Sequence, residues 1–73
     1  MKYKLFDEVA LAIDLPEHGL SSGSIGIVVE TYPKTDGLEV EFVDHEGRTI
    51  AVLTLDLDQV RRLARAEGRP RQV

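Results

Sequence analysis

The sequence predicts an all-β fold, a small barrel of about five antiparallel strands with one short 3-10 turn. Apolar and polar side chains alternate with a period of two over most of the chain, which is typical of strands that bury one face. Segments rich in valine, isoleucine and threonine are separated by glycine, proline, aspartate and serine, which favour turns. The chain has 73 residues, so we expect a single domain with one core.

The first predicted strand covers residues 8–13, where apolar residues alternate along the chain. Residues 14–23 follow it and contain one proline, two glycines and two serines, so they are expected to form a long loop. Leu15 and Leu20 interrupt this polar segment. We expect both to pack against the core and to keep the loop folded.

Residues 24–32 form the second predicted strand because they are rich in β-branched residues. Gly26 lies inside this strand, where a glycine is unfavourable unless it permits a bend, a bulge or a close backbone approach. Ile25, Ile27 and Val29 would share one face of the strand. We expect the strand to bend and to contribute to the core from both faces.

Two tight turns, at residues 33–37 and 44–47, connect the next strands. The Asp-Gly pair of the first turn supplies a position with positive φ, and a glycine ends the second turn. Residues 38–43 have large apolar side chains at every second position, which predicts a half-buried strand. Residues 49–55 are apolar on both faces, so this fourth strand is expected to be central or well covered. The glycines predicted to have structural roles in turns and bends are Gly23, Gly26, Gly37 and Gly47.

Residues 56–66 are compatible with two structures. Asp56 followed by Gln59 is a helix-start signal, which makes four strands plus a short C-terminal helix the alternative. The other structure is a 3-10 turn at residues 57–59 and then a fifth strand that pairs with the first. Because that pairing would close the barrel and leave no open edge, the five-stranded barrel is the main prediction.

The predicted barrel domain covers residues 4–65, and residues 66–73 are predicted to be a disordered basic tail. Residues 1–60 carry a net charge of −8, whereas residues 61–73 carry +4. An acidic body repels phosphate, so nucleic-acid binding is disfavoured for most of the surface. The alternative nucleic-acid function would use the C-terminal arginines Arg61, Arg62, Arg65, Arg69 and Arg71.

Composition also bears on compartment and chemistry. The chain has no cysteine, which excludes disulfides and thiolate metal sites. Its apolar runs are far shorter than the roughly 20 residues that span a bilayer, and its first residues lack the apolar segment of a secretory signal. We therefore expect a cytoplasmic protein without a membrane partner.

Residues 20–30 contain a Gly-x-x-Gly-x-Val motif, from Gly23 to Val28, that resembles the signature turn of KOW-type SH3-like domains. With Asp14-Leu15-Pro16, Val40-Glu41-Phe42 and residues 52–55, it resembles the small bacterial proteins of domain-of-unknown-function family 4926. The resemblance runs from about Phe6 to Leu63. It implies an SH3-like barrel without an established activity, no catalytic residues to carry over, and an antitoxin-like or accessory role beside a partner protein.

The sequence predicts no catalytic, cofactor-binding or metal-binding residues, and hence no enzyme. Its only histidines, His18 and His45, lie in different loops, and no spacing brings them together as zinc ligands. Serines 21, 22 and 24 lie in a glycine-containing turn, where serine is favoured for local backbone hydrogen bonds.

Binding to another protein is the predicted function. Glutamates on neighbouring strands would form an acidic face for a basic partner, and the first loop would add to it. The alternative interpretation is an ordinary solvent face of a half-buried sheet. A small barrel buries only about 60% of its unfolded surface, so pairing with itself or with another protein would add burial. The predicted partner-binding residues are Glu30, Glu39, Glu41, Glu17 and His18.

Overall fold

The computed structural model describes residues 2–63, which form five strands and three single-turn 3-10 helices. The strands are β1 (Glu8–Leu11), β2 (Ile25–Tyr32), β3 (Gly37–Val43), β4 (Thr49–Asp56) and β5 (Val60–Arg62). The 3-10 turns cover Pro16–His18, Pro33–Thr35 and Leu57–Gln59. The all-β prediction with five antiparallel strands is confirmed.

The residues after β4 distinguish between the two structures predicted for residues 56–66, a helix or a 3-10 turn followed by a fifth strand. The Asp56 N–H donates to Gln59 Oε1 at 2.7 Å, so the helix-start signal produces a local turn. That turn ends after one 3-10 helix and leads directly into β5. The alternative of four strands plus a helix is therefore wrong for residues 56–63. The predicted tail, residues 66–73, lies outside the described residues.

The five strands form one antiparallel sheet in the order β4-β3-β2-β1-β5. As predicted, β5 pairs with β1, with Leu11 opposite Val60 and Val9 opposite Arg62. The sheet does not close into a barrel, however, because β4 and β5 lie at its two edges. The predicted barrel closure is wrong. Strand β5 has three residues, which pair with β1, and within residues 2–63 no ladder joins it to β4.

The core lies on one side of this sheet. Strand β3 supplies three fully buried side chains at alternating positions, as its pattern predicts. In the first loop, Leu15 and Leu20 exchange two backbone hydrogen bonds of 2.9 and 3.1 Å; Leu20 is buried and Leu15 packs against the core. The prediction for the loop is confirmed. The largest fully buried side chains are Val9, Leu11, Val28, Leu38, Val40 and Phe42.

Gly26 lets the core side chains of β3 lie close against the backbone of β2. A Cβ atom at this position would lie 2.5 Å from Val40 Cγ1 and 2.8 Å from Phe42 Cε1. The core face of β2 therefore carries Gly26 and Val28, while Ile25 points outward and is half exposed. The strand contains a bulge between Val28 and Glu30, as the glycine-containing pattern allows.

Strand β4 is not central. It forms one edge of the sheet, and its Ile50 and Val52 are exposed. The prediction of a central or well-covered strand is wrong, because two apolar faces indicate only that both faces avoid charge. They do not fix the position of a strand in its sheet.

Two of the predicted turn glycines adopt positive φ, Gly23 at 97° and Gly47 at 83°. Gly37 does not. The left-handed position of the first hairpin is taken instead by Asp36, with φ of 56°, and Gly37 begins β3. Aspartate tolerates this conformation better than most residues, so the turn forms one residue earlier than the Asp-Gly pattern suggests.

Residues 2–7 cover one end of the core. Tyr3 is buried, and the guanidinium of Arg62 lies 4.9 Å from the centre of its ring. Arg62 also donates to the Lys2 carbonyl at 2.7 Å. The N-terminal segment is thus attached to β5. Within residues 2–63, no helix has the length and apolarity needed to cross a membrane.

Candidate functional site

The side of the sheet that points away from the core is termed the outer face. Residues directly opposite each other in antiparallel strands point to the same side. Glu41 on β3 lies opposite Val52 on β4 and Ile27 on β2. Glu39 lies opposite Thr54 and Glu30. The structure therefore brings the three strand glutamates of the predicted partner-binding set onto one face.

Hydroxyl groups hold two of these carboxylates in place. Thr54 Oγ1 donates to Glu39 Oε1 at 2.6 Å, and the Tyr32 hydroxyl donates to the same oxygen at 3.3 Å. Thr49 Oγ1 donates to Glu41 Oε2 at 2.6 Å. Glu39 and Glu41 are half-buried, and neither forms an ion pair with a basic residue of the described chain. Both carboxylates are thus ordered, and neither has an ion-pair partner within residues 2–63.

The Tyr32 phenol responds to this charge. Loss of hydration, followed by the negative charge of Glu39 and the hydrogen bond to it, raises the pKa of Tyr32 above its usual 10.0. The charge of Glu30 acts in the same direction. The neutral phenol is therefore the form that the outer face favours.

Aliphatic side chains lie among the glutamates. Four of them, termed the outer patch, are between 41% and 50% exposed. The solvent face of a half-buried antiparallel sheet is usually polar, whereas this face carries four exposed aliphatic side chains. The sequence indicated part of this group, because Ile50 and Val52 make the second face of residues 49–55 apolar. The outer patch consists of Ile25, Val43, Ile50 and Val52.

Phe6 is a further residue that the sequence analysis missed. Its side chain is 73% exposed and its φ is 73°, although a bulky residue rarely adopts the left-handed region. Its N–H donates to the Val28 carbonyl at 2.7 Å, beside the β2 bulge, and this bond helps to impose the conformation. Leu5, next to it, is also exposed. No sequence pattern marks an exposed, strained aromatic residue.

Glu17 and His18 lie apart from this arrangement. Both are exposed on the 3-10 turn of the first loop. Within residues 2–63, no hydrogen bond or ion pair connects them to the glutamates of the outer face. Their part in partner binding stays a prediction.

The histidines do not come together either. His45 is exposed at the tip of the β3–β4 turn, and its Nε2 atom lies 3.9 Å from Glu46. In the part of the chain that the structure describes, no three histidine or acidic side chains cluster as metal ligands.

An open depression of about 410 Å³ between two 3-10 turns is lined by Asp36, Asp56 and Asp58 together with Thr35 and Leu57.

The arginines predicted for nucleic-acid binding have different environments. Arg62 is engaged in the fold through Tyr3 and the Lys2 carbonyl, and its Nη1 atom lies 4.0 Å from Asp7. Arg61 is exposed. The remaining three, Arg65, Arg69 and Arg71, lie outside the described residues. The nucleic-acid alternative stays a prediction.

Fold and surface together define a small all-β domain with an acidic, partly apolar sheet face. The family model of the domain of unknown function DUF4926 matches residues 5–62, and the chain belongs to this family. The resemblance indicated by the order of the motifs is thereby confirmed. The match includes all five strands and hence the whole outer face. No curated protein and no solved structure shows significant similarity to the chain.

Proposed function

We propose that this protein is a small interaction module of the cytoplasm, an antitoxin-like or accessory subunit that binds a basic partner protein through its outer face. One observation carries the proposal. The exposed aliphatic side chains of the outer patch lie directly beside ordered carboxylates that have no basic partner in residues 2–63. A surface of this kind supplies apolar contact area and charge complementarity together.

The hydroxyl groups support this function by limiting the entropy cost of binding. Glu39 and Glu41 are already held by Thr54 and Thr49, so a partner does not have to order them. Lysine or arginine side chains of the partner would meet these oxygens, and its apolar side chains would cover Val52 and its neighbours. An amphipathic basic helix or strand has this chemistry.

The proposal is tested by titrating the products of neighbouring genes, each expressed separately, against the protein. The double variant Glu39→Lys with Glu41→Lys should weaken binding at least about tenfold, because it places like charges in the interface. Raising the salt concentration should weaken wild-type binding as well.

A matched control makes the same change in net charge away from the outer face. Asp58→Lys with Glu46→Lys alters two exposed acids in turns and should leave binding close to wild type. Equal loss in both double variants would show that net charge, rather than the outer face, determines binding. Unchanged binding in the Glu39 and Glu41 variant would remove the outer face from consideration.

A further inference from the structure

The edge formed by β4 is unusually well suited to pairing. It is eight residues long, and residues 49–55 contain no charge, glycine or proline. Natural sheets commonly protect their edges with short strands, charges, prolines or bulges. The opposite edge, β5, fits that rule because it has three residues, of which Arg61 and Arg62 are charged. The pairing of β4 with β3 shifts once, at Ile50, because Thr49 lies opposite Val43 and Ala51 lies opposite Phe42.

We propose that two copies of the chain pair through their β4 edges, antiparallel and about a two-fold axis at Val52. Val52 then lies opposite Val52 of the second copy, and Ile50 lies opposite Thr54 of the second copy. All of these side chains belong to the outer face. The outer faces of the two copies therefore form one continuous surface, and their core faces lie together on the other side of the sheet.

The charges at the ends of β4 support this alignment. With Val52 at the axis, Arg48 lies opposite Asp56 of the second copy, and symmetry repeats this attractive pair. An axis at Ala51 would instead place Arg48 opposite Thr54 and bring Asp56 to the β3–β4 turn, beside the acid Glu46. Opposite charges facing each other across strands stabilise pairing, whereas like charges oppose it.

Arg48 is available for this contact. Its side chain is largely exposed and interacts with Glu46 at 3.0 Å and with Asp44 at 3.1 Å. Exposed ion pairs contribute little, so exchanging the Glu46 contact for Asp56 of the second copy has a small cost. The pairing brings the exposed Ile50 and Val52 of both copies together and gives a ten-stranded sheet from two copies of the five-stranded one.

Cysteine cross-linking tests the pairing and its alignment, since the natural chain has no cysteine. Directly opposite residues have Cα atoms about 4.5–5.5 Å apart, within the range of about 4.4–6.8 Å that disulfides need. Val52→Cys should therefore form a disulfide-linked dimer under mild oxidation. Ile25→Cys, half exposed on the same face but on β2, should not.

Mixed samples test the alignment more sharply. Ile50→Cys mixed with Thr54→Cys should give a cross-linked heterodimer, because these positions lie opposite each other. Thr54→Cys alone should not cross-link, since its two copies are offset by about 13 Å along the strands. Cross-linking of Ile25→Cys at the rate of Val52→Cys would overturn the assignment of the interface.

Sedimentation equilibrium provides an independent readout without cysteine. The wild-type protein should approach twice its 8.1 kDa mass as concentration rises. Val52→Lys places two lysines at the axis and should weaken dimerisation at least about tenfold, whereas Ile25→Lys should not. Circular dichroism establishes that each variant is folded. A wild-type monomer at millimolar concentration, or equal effects of the two lysine variants, would contradict the proposal. Cross-linking and sedimentation use no partner protein, so their outcomes are independent of the proposed function.

Discussion

Gly26 sets how closely the side chains of β3 can lie against β2. Gly26→Ala would place a methyl group 2.5 Å from Val40 Cγ1 and within 3 Å of Phe42, both fully buried. Because neither side chain can move into solvent, we expect a loss of about 1–3 kcal/mol in the free energy of unfolding, measured with urea. Gly37→Ala is the control, since its nearest contact is Thr35 Oγ1 at 3.4 Å. A similar loss in both variants would contradict the packing argument.

Tyr32 reports on the charge of the outer face. Its pKa is raised above 10.0 by loss of hydration and by Glu39, so the folded state favours the neutral phenol. This contribution to stability is present below pH 10.0 and is lost as pH rises through the folded-state pKa. Glu39→Gln should therefore lower the pKa of Tyr32 toward 10.0.

The measurement is the ultraviolet absorbance of the phenolate in a Tyr3→Phe background, where Tyr32 is the only tyrosine. Glu41→Gln is the matched control, because Glu41 bonds to Thr49 and not to Tyr32. If Glu41→Gln lowered the pKa as much as Glu39→Gln, a general field rather than the Glu39 contact would be responsible.

The β3–β4 turn depends on one side chain. Asp44 Oδ1 accepts the N–H groups of Glu46 and Arg48 at 2.8 and 2.9 Å, and Oδ2 accepts from Arg48 Nε at 3.1 Å. The pKa of Asp44 lies below 3.8, and the largest cause is the hydrogen bond from the Arg48 backbone. Desolvation acts in the opposite direction, and the hydrogen bond from the Glu46 backbone lowers the pKa further. The ionised form therefore stabilises the hairpin above pH 3.8, and this contribution is lost as pH falls through the lower folded-state pKa.

We expect Asp44→Ala to lower the Tm at neutral pH, and the difference from wild type to shrink as acid protonates Asp44 in the natural protein. Thermal unfolding followed by circular dichroism across the acidic range measures both effects. Glu46→Ala removes a neighbouring exposed acid and should change the Tm little. A Tm difference that is constant with pH would show that the Asp44 charge is not involved.

The local sequence pattern was sufficient to predict some elements of the fold and insufficient to predict others. The alternation in β3 and the glycine of the second turn identified the buried Leu38 and the hairpin, because both depend on neighbours in the chain. The edge position of β4 did not follow from its sequence, since apolar residues such as Val52 suit an interior strand equally well. The order of strands depends on long-range pairing, which periodicity does not encode.

The candidate site was likewise predicted from the sequence only in part. Period-two alternation placed Glu39 and Glu41 on one face, and the register of β2 added Glu30. The outer patch was missed because Ile50 and Val52 were expected to lie in a central or well-covered strand, whereas β4 lies at an edge of the sheet. Phe6 was missed because its backbone conformation is imposed by the bond to Val28 and not by its local sequence.

The whole molecule depends on a contact between its first residues and its last strand. Tyr3 is buried beneath Arg62, and Arg62 also bonds to Lys2. Removing a large buried aromatic side chain costs about 3–5 kcal/mol, and a core of this size supplies a similar total. We therefore expect Tyr3→Ala to be largely unfolded at ambient temperature, measured by circular dichroism and amide hydrogen exchange.

Tyr3→Phe is the matched control, because it keeps the ring beneath Arg62. It should remain folded with a cooperative transition. A folded Tyr3→Ala protein with normal exchange protection in β5 would show that the N-terminal segment is dispensable for the core.

The strained backbone at Phe6 has a consequence for how this protein would respond to selection. Glycine would adopt the same conformation without the steric penalty, and little packing would be lost because the ring is solvated. A library of variants ranked by heat resistance alone would thus accept the smaller residue at position 6. A library ranked by capture of a binding partner would retain the aromatic ring only if Phe6 contacts that partner, so comparing the two rankings tests whether the ring serves binding rather than folding.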